Sequence, residues 1–284
     1  NSWIESKWKS RNDIVETQVM NMVGSWLAEF ASNIRKYEQH TIATAKLAID
    51  SRKVMLDFSN QAGLSFDRVN RGILHFYKSE ADFAHAHKVT DLLAKAGLSR
   101  RRLTADEVYA IEPAMRAPVI GGYYTESDFT GDIHKFATGL AEAARNQGVS
   151  FVMNTEVEDI KHKQANPRLT WKTSTGEVEN GLFDGIVVTA GVMSRKLAAK
   201  LGDRVNVYPV KGYSITVDLK DKASQTAAPT VSLLDDAAKI VTSRLGTNRF
   251  RVAGTAEISG KNYDIRSDRI APLIKWVEAN FPDI

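Results

Sequence analysis

None of the 284 residues is cysteine. That absence removes disulfides, thiolate nucleophiles, cysteine-ligated zinc and iron–sulfur clusters together, and leaves a reducing cytoplasm as the default compartment. No stretch approaches about 18 consecutive apolar residues, so the sequence offers no helix able to span a bilayer. The chain opens NSWIESKWKSRND, with neither an initiator methionine nor the apolar core of a signal peptide, and this opening reads as a cut rather than a biological start. There is little excess of either charge: 38 Lys and Arg against 34 Asp and Glu give a net +4 and a pI near 9.1. So small and scattered a surplus does not argue for nucleic acid, and at most suits weak contact with an anionic membrane surface. No G-x-S-x-G elbow, phosphate-binding Walker loop or H-E-x-x-H is present, so simple hydrolysis has no visible engine.

What is present is the composition of a folded globular chain. Hydrophobic residues make up 43% and charged residues 25%, which excludes wholesale disorder, and the length predicts about two domains. Trp26, Leu27, Phe30, Ile34 and Tyr37 recur near a 3.6 period, continued by Ile42 to Phe58 and closed by Gly63. Arg71 to Ser79 reads as a strand and Ala81 to Ala96 as a helix ending at Gly97. Thr104 with Glu107 forms a capping box for a short helix that stops before Pro113. A strand over 121–127 precedes a helix capped by Asp132 and ended by Gly148.

Beyond that helix the pattern changes to alternation. Phe151, Met153, Thr155 and Val157 fall on one side of an expected strand over 151–162, and two short strands meet at Thr175-Gly176. FDGIVVTAG (183–191) is a continuous apolar run, the pattern of a strand buried on both faces, with a helix after it. The remainder reads as strands, YPVKGYSITVDL, KIVTSRL and RFRVAGTAE, and a last helix from about Asp268 to Asn280. This mixture indicates α/β plus α+β architecture, interleaved rather than in tandem.

Few residues suggest chemistry on their own. His85 and His87 sit two apart in a helical pattern and so point to different faces, which favours exposed helix histidines over a metal site. Asp235-Asp236 is either a carboxylate pair or a pair of turn formers. Thr189-Ala190-Gly191 followed by Ser194 at a helix start would let backbone amides approach an anionic ligand, or be an ordinary strand-to-helix turn. In Pro209-Val-Lys-Gly-Tyr-Ser214, the glycine marks a close backbone approach or an edge bulge, with Lys211 and Tyr213 supplying a cation and a phenol.

In order, RGILHFY (71–77), IEPAM (111–115), GGYYTESDFTGDIHKFATGLAEAA (121–144), NTEVEDI (154–160), FDGIVVTAGVMS (183–194), PVKGYS (209–214) and AKIVTSRLGTNRFRVAGTAE (238–257) resemble the family of D-amino acid dehydrogenase small subunits. Its members are FAD-dependent relatives of D-amino acid oxidase, glycine oxidase and sarcosine oxidase. The family's opening G-x-G-x-x-G turn, and its later G-L-R-P stretch whose Arg grips the substrate carboxylate, do not occur in this sequence. The resemblance therefore implies the middle part of an enzyme, inactive by itself and with micromolar FAD binding lost.

As what the resemblance implies, Val157 lies at the adenine, and Thr189, Ala190, Gly191 and Ser194 lie near the adenosine side of FAD. Lys211, Gly212, Tyr213, Gly254 and Thr255 border the flavin and substrate cavity, and Tyr213, Lys239 and Arg244 are substrate-pocket candidates, with Tyr213 and Lys239 ranked above Arg244. No metal is implied. The implied fold is a partial Rossmann-like FAD-binding domain interleaved with a mixed-sheet substrate domain. Residues 1–145 form a substrate or cap domain with a helical N-terminal part, 146–203 a partial FAD-binding domain, and 204–284 the substrate-domain sheet and final helix.

The implied reaction is oxidative deamination of a D-amino acid to a 2-keto acid and ammonia by hydride transfer to FAD, with electrons passed to the respiratory chain. The implied location is the cytoplasm, peripheral to the inner face of a bacterial membrane. Two other readings stand beside it: a glycine or sarcosine oxidase-like enzyme, and an inactive truncated chain without FAD.

Overall fold

The computed structural model describes residues 36–162 and 166–284. The expected helical pattern over Trp26 to Ile34 lies outside them. In chain order the elements are α1 (Tyr37–Gln61), β1 (Ile73–Tyr77), α2 (Glu80–Ala94), β2 (Arg101–Thr104), α3 (Ala105–Ile111), β3 (Gly121–Thr125) and α4 (Ile133–Asn146). Next come β4 (Glu156–Lys161), β5 (Arg168–Lys172), β6 (Val178–Leu182), a 3₁₀ turn (Gly191–Met193) and α5 (Ser194–Leu201). The chain continues through β7 (Lys211–Asp218), α6 (Lys222–Ala227), β8 (Ser232–Asp235), β9 (Ile240–Leu245), β10 (Arg249–Glu257) and α7 (Ser267–Asn280).

Local chemistry places most helix ends. Ser79 accepts the backbone N–H of Asp82 at the start of α2, and the Thr104–Glu107 capping box forms in both directions. Asp132 accepts from the backbone of His134 and Lys135 at the start of α4. Gly97, Gly148 and Gly202, with φ near +90°, turn the chain away after three helices, a conformation that costs glycine no Cβ clash.

The strands form two sheets. Seven assemble in the order β2-β3-β1-β8-β9-β10-β7, and three in the order β4-β5-β6. Among the described residues only β1 and β8 pair in parallel; the other strand pairs are antiparallel. The larger sheet draws its strands from both sides of the smaller in sequence, so the expected mixed, interleaved architecture is the one observed.

The two faces of the seven-stranded sheet differ. On one, Leu74, Phe76, Leu233, Phe250 and Val252 bury themselves against Leu273, Trp276 and Val277 of α7, and the Phe76 and Trp276 rings lie 6.3 Å apart. Buried Glu112 ties α3 to this core by accepting from the backbone N–H groups of Ala114, Thr230 and Val231, which satisfies a carboxylate otherwise costly to enclose. On the other face Tyr77 and Tyr123 pack beneath Phe83 and Ala86 of α2. Following the register from β1 gives a row on that same face: His75, Leu234, Val241, Ala253, Ser214. The end of the row over β9 and β7 is exposed at Val241 and Ser214. The face is thus covered over β1 and β3 and open beyond.

Two expected strands differ. Residues 183–190 take no strand conformation and Val187 is 86% exposed, because no described strand lies beside this run to complete its hydrogen bonds. Likewise, 151–154 is not strand; pairing with β5 begins only at Glu156. Strands β2 and β8 and helix α6 form although no separate sequence signal marks them.

Candidate active site

At the step where α2 stops covering the larger sheet, a cavity of about 360 Å³ opens. His75 and Tyr77 of β1, Asp82, His85 and Val89 of α2, Arg100, and Asp236 and Lys239 of the β8–β9 turn are among its lining residues. Strand alternation brings His75 and Tyr77 to the same face, two residues apart, while Leu74 and Phe76 enter the core. The same alternation separates the acidic pair. Asp235 turns to the core, accepts Trp276 Nε1–H at 2.9 Å and closes the turn by accepting Ala238 N–H. Asp236 turns to the cavity, so the two do not act as a carboxylate pair.

Asp236 Oδ2 accepts the Tyr77 hydroxyl at 2.5 Å and lies 3.1 Å from His75 Nδ1. Burial opposes its charge, but the His75 and Tyr77 hydrogen bonds, aided by the charges of His75 and Arg100, outweigh that cost and hold the carboxyl at about 2. Burial, and then the Asp236 carboxylate, push the Tyr77 phenol well above its ordinary range, so it stays a donor. Arg100 lies with its guanidinium carbon 5.3 Å from the centre of the Tyr123 ring, and its Nε and Nη2, shielded from water, have no hydrogen-bond acceptor. A larger groove of about 630 Å³ runs along α1, but its lining is mainly apolar and its Arg52 is already bound to Asp128, whereas the smaller cavity gathers more titratable side chains.

Of the site residues that the family resemblance implies, only Lys239 reaches this cavity, in a turn where its φ is +57°, beside His85 and Asp236. Tyr213 faces the α7 side, buried, with its hydroxyl donating to Glu257 Oε2 at 2.5 Å. That donation, then the Lys211 ammonium 3.2 Å away, hold the Glu257 carboxyl below its usual range against the cost of burial. Lys211 also donates to the Asp264 carbonyl. Arg244 is spent on backbone, bonding the carbonyls of Gln225, Ala228 and Thr247. Gly254 packs into the core: a Cβ there would meet Ile240 Cγ1 at 2.7 Å. Thr255, with φ +46°, donates to the Arg269 carbonyl, while Gly212 is open on its free side. His85 lines the cavity and His87 lies 3.3 Å from the Tyr123 hydroxyl; among the described residues no group of three or more His, Asp or Glu could hold a metal.

The residues expected at a dinucleotide form a separate surface. Val157 is 36% exposed on β4, and α5 lies against that strand, with Lys200 Nζ 3.0 Å from Asp159. Thr189, Ala190 and Gly191 precede α5 on an exposed turn, and a Cβ added at Gly191 would meet nothing within 4 Å. The first turn of α5 has no side-chain cap, and the 3₁₀ turn leading into it bonds the N–H groups of Met193 and Ser194 to the carbonyls of Ala190 and Gly191. This surface has the room to meet the adenosine end of FAD, whereas no glycine-rich turn stands ready for its phosphates among the described residues. The fit is to one end of the cofactor. No helix among the described residues is long and apolar enough to cross a membrane.

Comparison with known proteins agrees with this architecture. The chain is 49% identical over 261 residues to D-amino acid dehydrogenase 3 of Mesorhizobium japonicum, covering 92% of this chain and 63% of that protein. It is 37% identical to the D-amino acid dehydrogenase of Dechloromonas aromatica, covering 87% of this chain and 59% of the relative. The chain therefore spans about three fifths of the length of these relatives. Among solved structures, the glycine oxidase of Geobacillus kaustophilus superposes with a TM-score of 0.73 at 20% identity, over 84% of this chain and 62% of the other. The L-alpha-glycerophosphate oxidase of Mycoplasma pneumoniae, solved with FAD bound, gives 0.73 at 19% identity, over 85% and 64%. At such identities the likeness speaks to fold alone. The model of the DAO family, described as FAD dependent oxidoreductase, matches residues 21–284, and the chain belongs to that family.

Proposed function

We propose that this chain forms the substrate-binding part, and one end of the cofactor site, of a flavoenzyme that oxidises D-amino acids to 2-keto acids and ammonia. The 49% identity over 261 residues to a protein named D-amino acid dehydrogenase carries the reading. FAD, when bound, supplies the acceptor for a hydride from the substrate α-carbon, chemistry that no side chain provides. Val157, Thr189, Ala190, Gly191 and Ser194 meet its adenosine end. Lys239 and the polar cavity beside it hold the substrate on the open sheet face, where fixed geometry presents one C–H bond and keeps the other configuration from reacting. Tyr213, Lys211, Gly212, Arg244, Gly254 and Thr255 shape the strands beneath this face; their fixed bonds make them a scaffold for the pocket.

In this reading residues 1–145 and 204–284 build the substrate domain and 146–203 the partial FAD-binding domain, a division supported by the three-stranded sheet β4-β5-β6 falling within 146–203. Electrons leave for the respiratory chain, and the small net charge of +4 suits peripheral contact with an anionic membrane. A second reading, oxidation of glycine or sarcosine, is compatible with the glycine oxidase fold likeness.

The test is the visible spectrum after incubation with FAD and desalting. The chain alone emerges colourless, because the pyrophosphate charge meets no glycine-rich turn. A chimera that takes its remaining segments from the Mesorhizobium japonicum relative retains a flavin band, which D-alanine bleaches under anaerobic conditions and L-alanine does not. A flavin-loaded chimera that no D-amino acid bleaches overturns the reading, and bleaching by glycine or sarcosine alone establishes the second one.

A further inference from the structure

The polar cavity beside α2 adjoins the larger apolar groove along α1: Leu93, Leu98 and Asp128 line both. Local chemistry builds the shared leucine wall. Gly97, with φ +90°, ends α2 and folds the chain back, so that Leu98 N–H bonds the Leu93 carbonyl at 3.1 Å and returns Leu98 towards Leu93. The other wall is α1, where Ala45, Ala48, Ile49 and Arg52 fall on one face at helical spacing. At the junction Arg52 is bound to Asp128 and donates to Ser127 Oγ at 3.1 Å, so the two charges there answer each other. The remaining ionisable groups of the groove, Tyr37 and His40, stand at least twelve residues from Arg52, about 18 Å along the helix axis. Between these ends the groove is apolar, and its volume of about 630 Å³ lies in the range of small-ligand sites.

We propose that groove and cavity act as one cleft, in which the groove takes the side chain of the substrate and Ala48, with Ala45 beyond it, sets how long an apolar side chain is accepted. The proposal rests on the amino-acid reading given above, which leaves the side chain open, and assigns its class as long and apolar rather than charged. Ala48 lies about 6 Å and Ala45 about 10 Å along the helix axis from Arg52, where the groove meets the cavity. A methyl at each position leaves room that a larger residue would take.

The experiment uses the flavin-loaded chimera and the homologous series D-alanine, D-2-aminobutyrate, D-norvaline and D-norleucine. The rate of anaerobic bleaching at limiting substrate rises about fourfold per methylene, the value of a buried CH₂. The gain falls on the half-saturating concentration and not on the limiting rate, as for an interaction made equally before and during reaction. D-lysine, of similar length to D-norleucine but charged at its end, shows no such gain over D-alanine. Ala48 is exposed on its helix, so Ala48→Glu, which keeps a good helix former there, lays a carboxylate along the groove without disturbing the core. It lowers the ratio of D-norleucine to D-alanine at least tenfold. Ala48→Leu, a second variant that adds bulk without charge, lowers the same ratio by filling the room for the last methylenes. By NMR the Ala48 methyl signal, identified with Ala48→Ser, moves saturably with D-norleucine and stays in place with D-alanine.

A flat series, an equal gain with D-lysine, or an Ala48 signal unmoved by D-norleucine overturns the proposal. Bleaching by D-alanine with a flat series removes the side-chain groove and keeps the amino-acid reading. Flavin that no D-amino acid bleaches, while D-norleucine still moves the Ala48 signal, removes the catalytic reading and keeps the groove.

Discussion

The two sheets of this protein are built from similar residues and bury them very differently. In the seven-stranded sheet Leu74, Leu233, Phe250 and Val252 are fully enclosed, since α7 lies along one face and supplies Leu273 and Trp276. Around the three-stranded sheet, Phe151, Val152, Met153, Val178, Phe183 and Val187 all remain exposed. Helix α4 shows the contrast most plainly: it has a marked apolar face, yet none of its residues is buried. Hydrophobicity gives a segment a tendency to be covered; a partner must be present for burial to follow. The larger sheet is covered by elements of its own region, whereas the smaller one, with the turn before α5, leaves its apolar side chains uncovered.

The sharpest way to break this contrast is to truncate one large side chain in each region. Trp276→Ala, which empties a site against Phe76 and Phe281, costs about 3–5 kcal/mol in urea unfolding. Val187→Ala, at a side chain facing water, stays within about 0.5 kcal/mol. Equal losses at both positions would show that the smaller region is packed after all.

A second prediction probes the cavity between these regimes. Asp236 is held at about 2 in the folded chain, below the ordinary 3.8, so its contribution is fully present above the unfolded value and lost as pH falls through about 2. With 39% of the side chain exposed, solvent screening leaves about 1 kcal/mol of it. Asp236→Asn lacks this increment: its stability deficit in urea titrations is constant above about pH 5 and closes between about pH 4 and pH 2. A deficit that does not change with pH would mean that His75 and Tyr77 do not lower the carboxyl on folding.

The smallest effect tests local chemistry within the well-packed region. Thr104→Ala opens the capping box of α3 and costs about 1 kcal/mol. The same urea experiment reads it, and no measurable loss would show that Glu112, bonded across to Thr230 and Val231, holds α3 in place without its cap.

Much of the framework was legible because the signals are short-range. The Thr104–Glu107 box, the Asp132 cap and the glycines at 97, 148 and 202 act within one turn of chain and appear where their chemistry puts them. The run 183–190 misled for the opposite reason: a buried strand is defined by its neighbours, and apolar residues alone do not supply them.

The polar cavity had a faint signature in His75 and Tyr77, two polar-tipped residues alternating with Leu74 and Phe76, but nothing in that pattern names Asp236 or Arg100 as partners. Asp236 lies 161 residues from His75. Tyr213 and Lys239 were ranked together from sequence, and strand register sends Tyr213 towards α7 and leaves Lys239 at the cavity.

By itself, then, the sequence determined the family pattern, most helix boundaries and the strands of the large sheet other than β2 and β8, all carried by contacts a few residues long or by colinear motifs. Only the tertiary structure decided which face each strand turns to solvent, which carboxylate of Asp235-Asp236 serves the core, and which charges meet in the cavity. Those choices depend on packing and pairing between segments far apart in the chain, where one residue of register reverses every side chain.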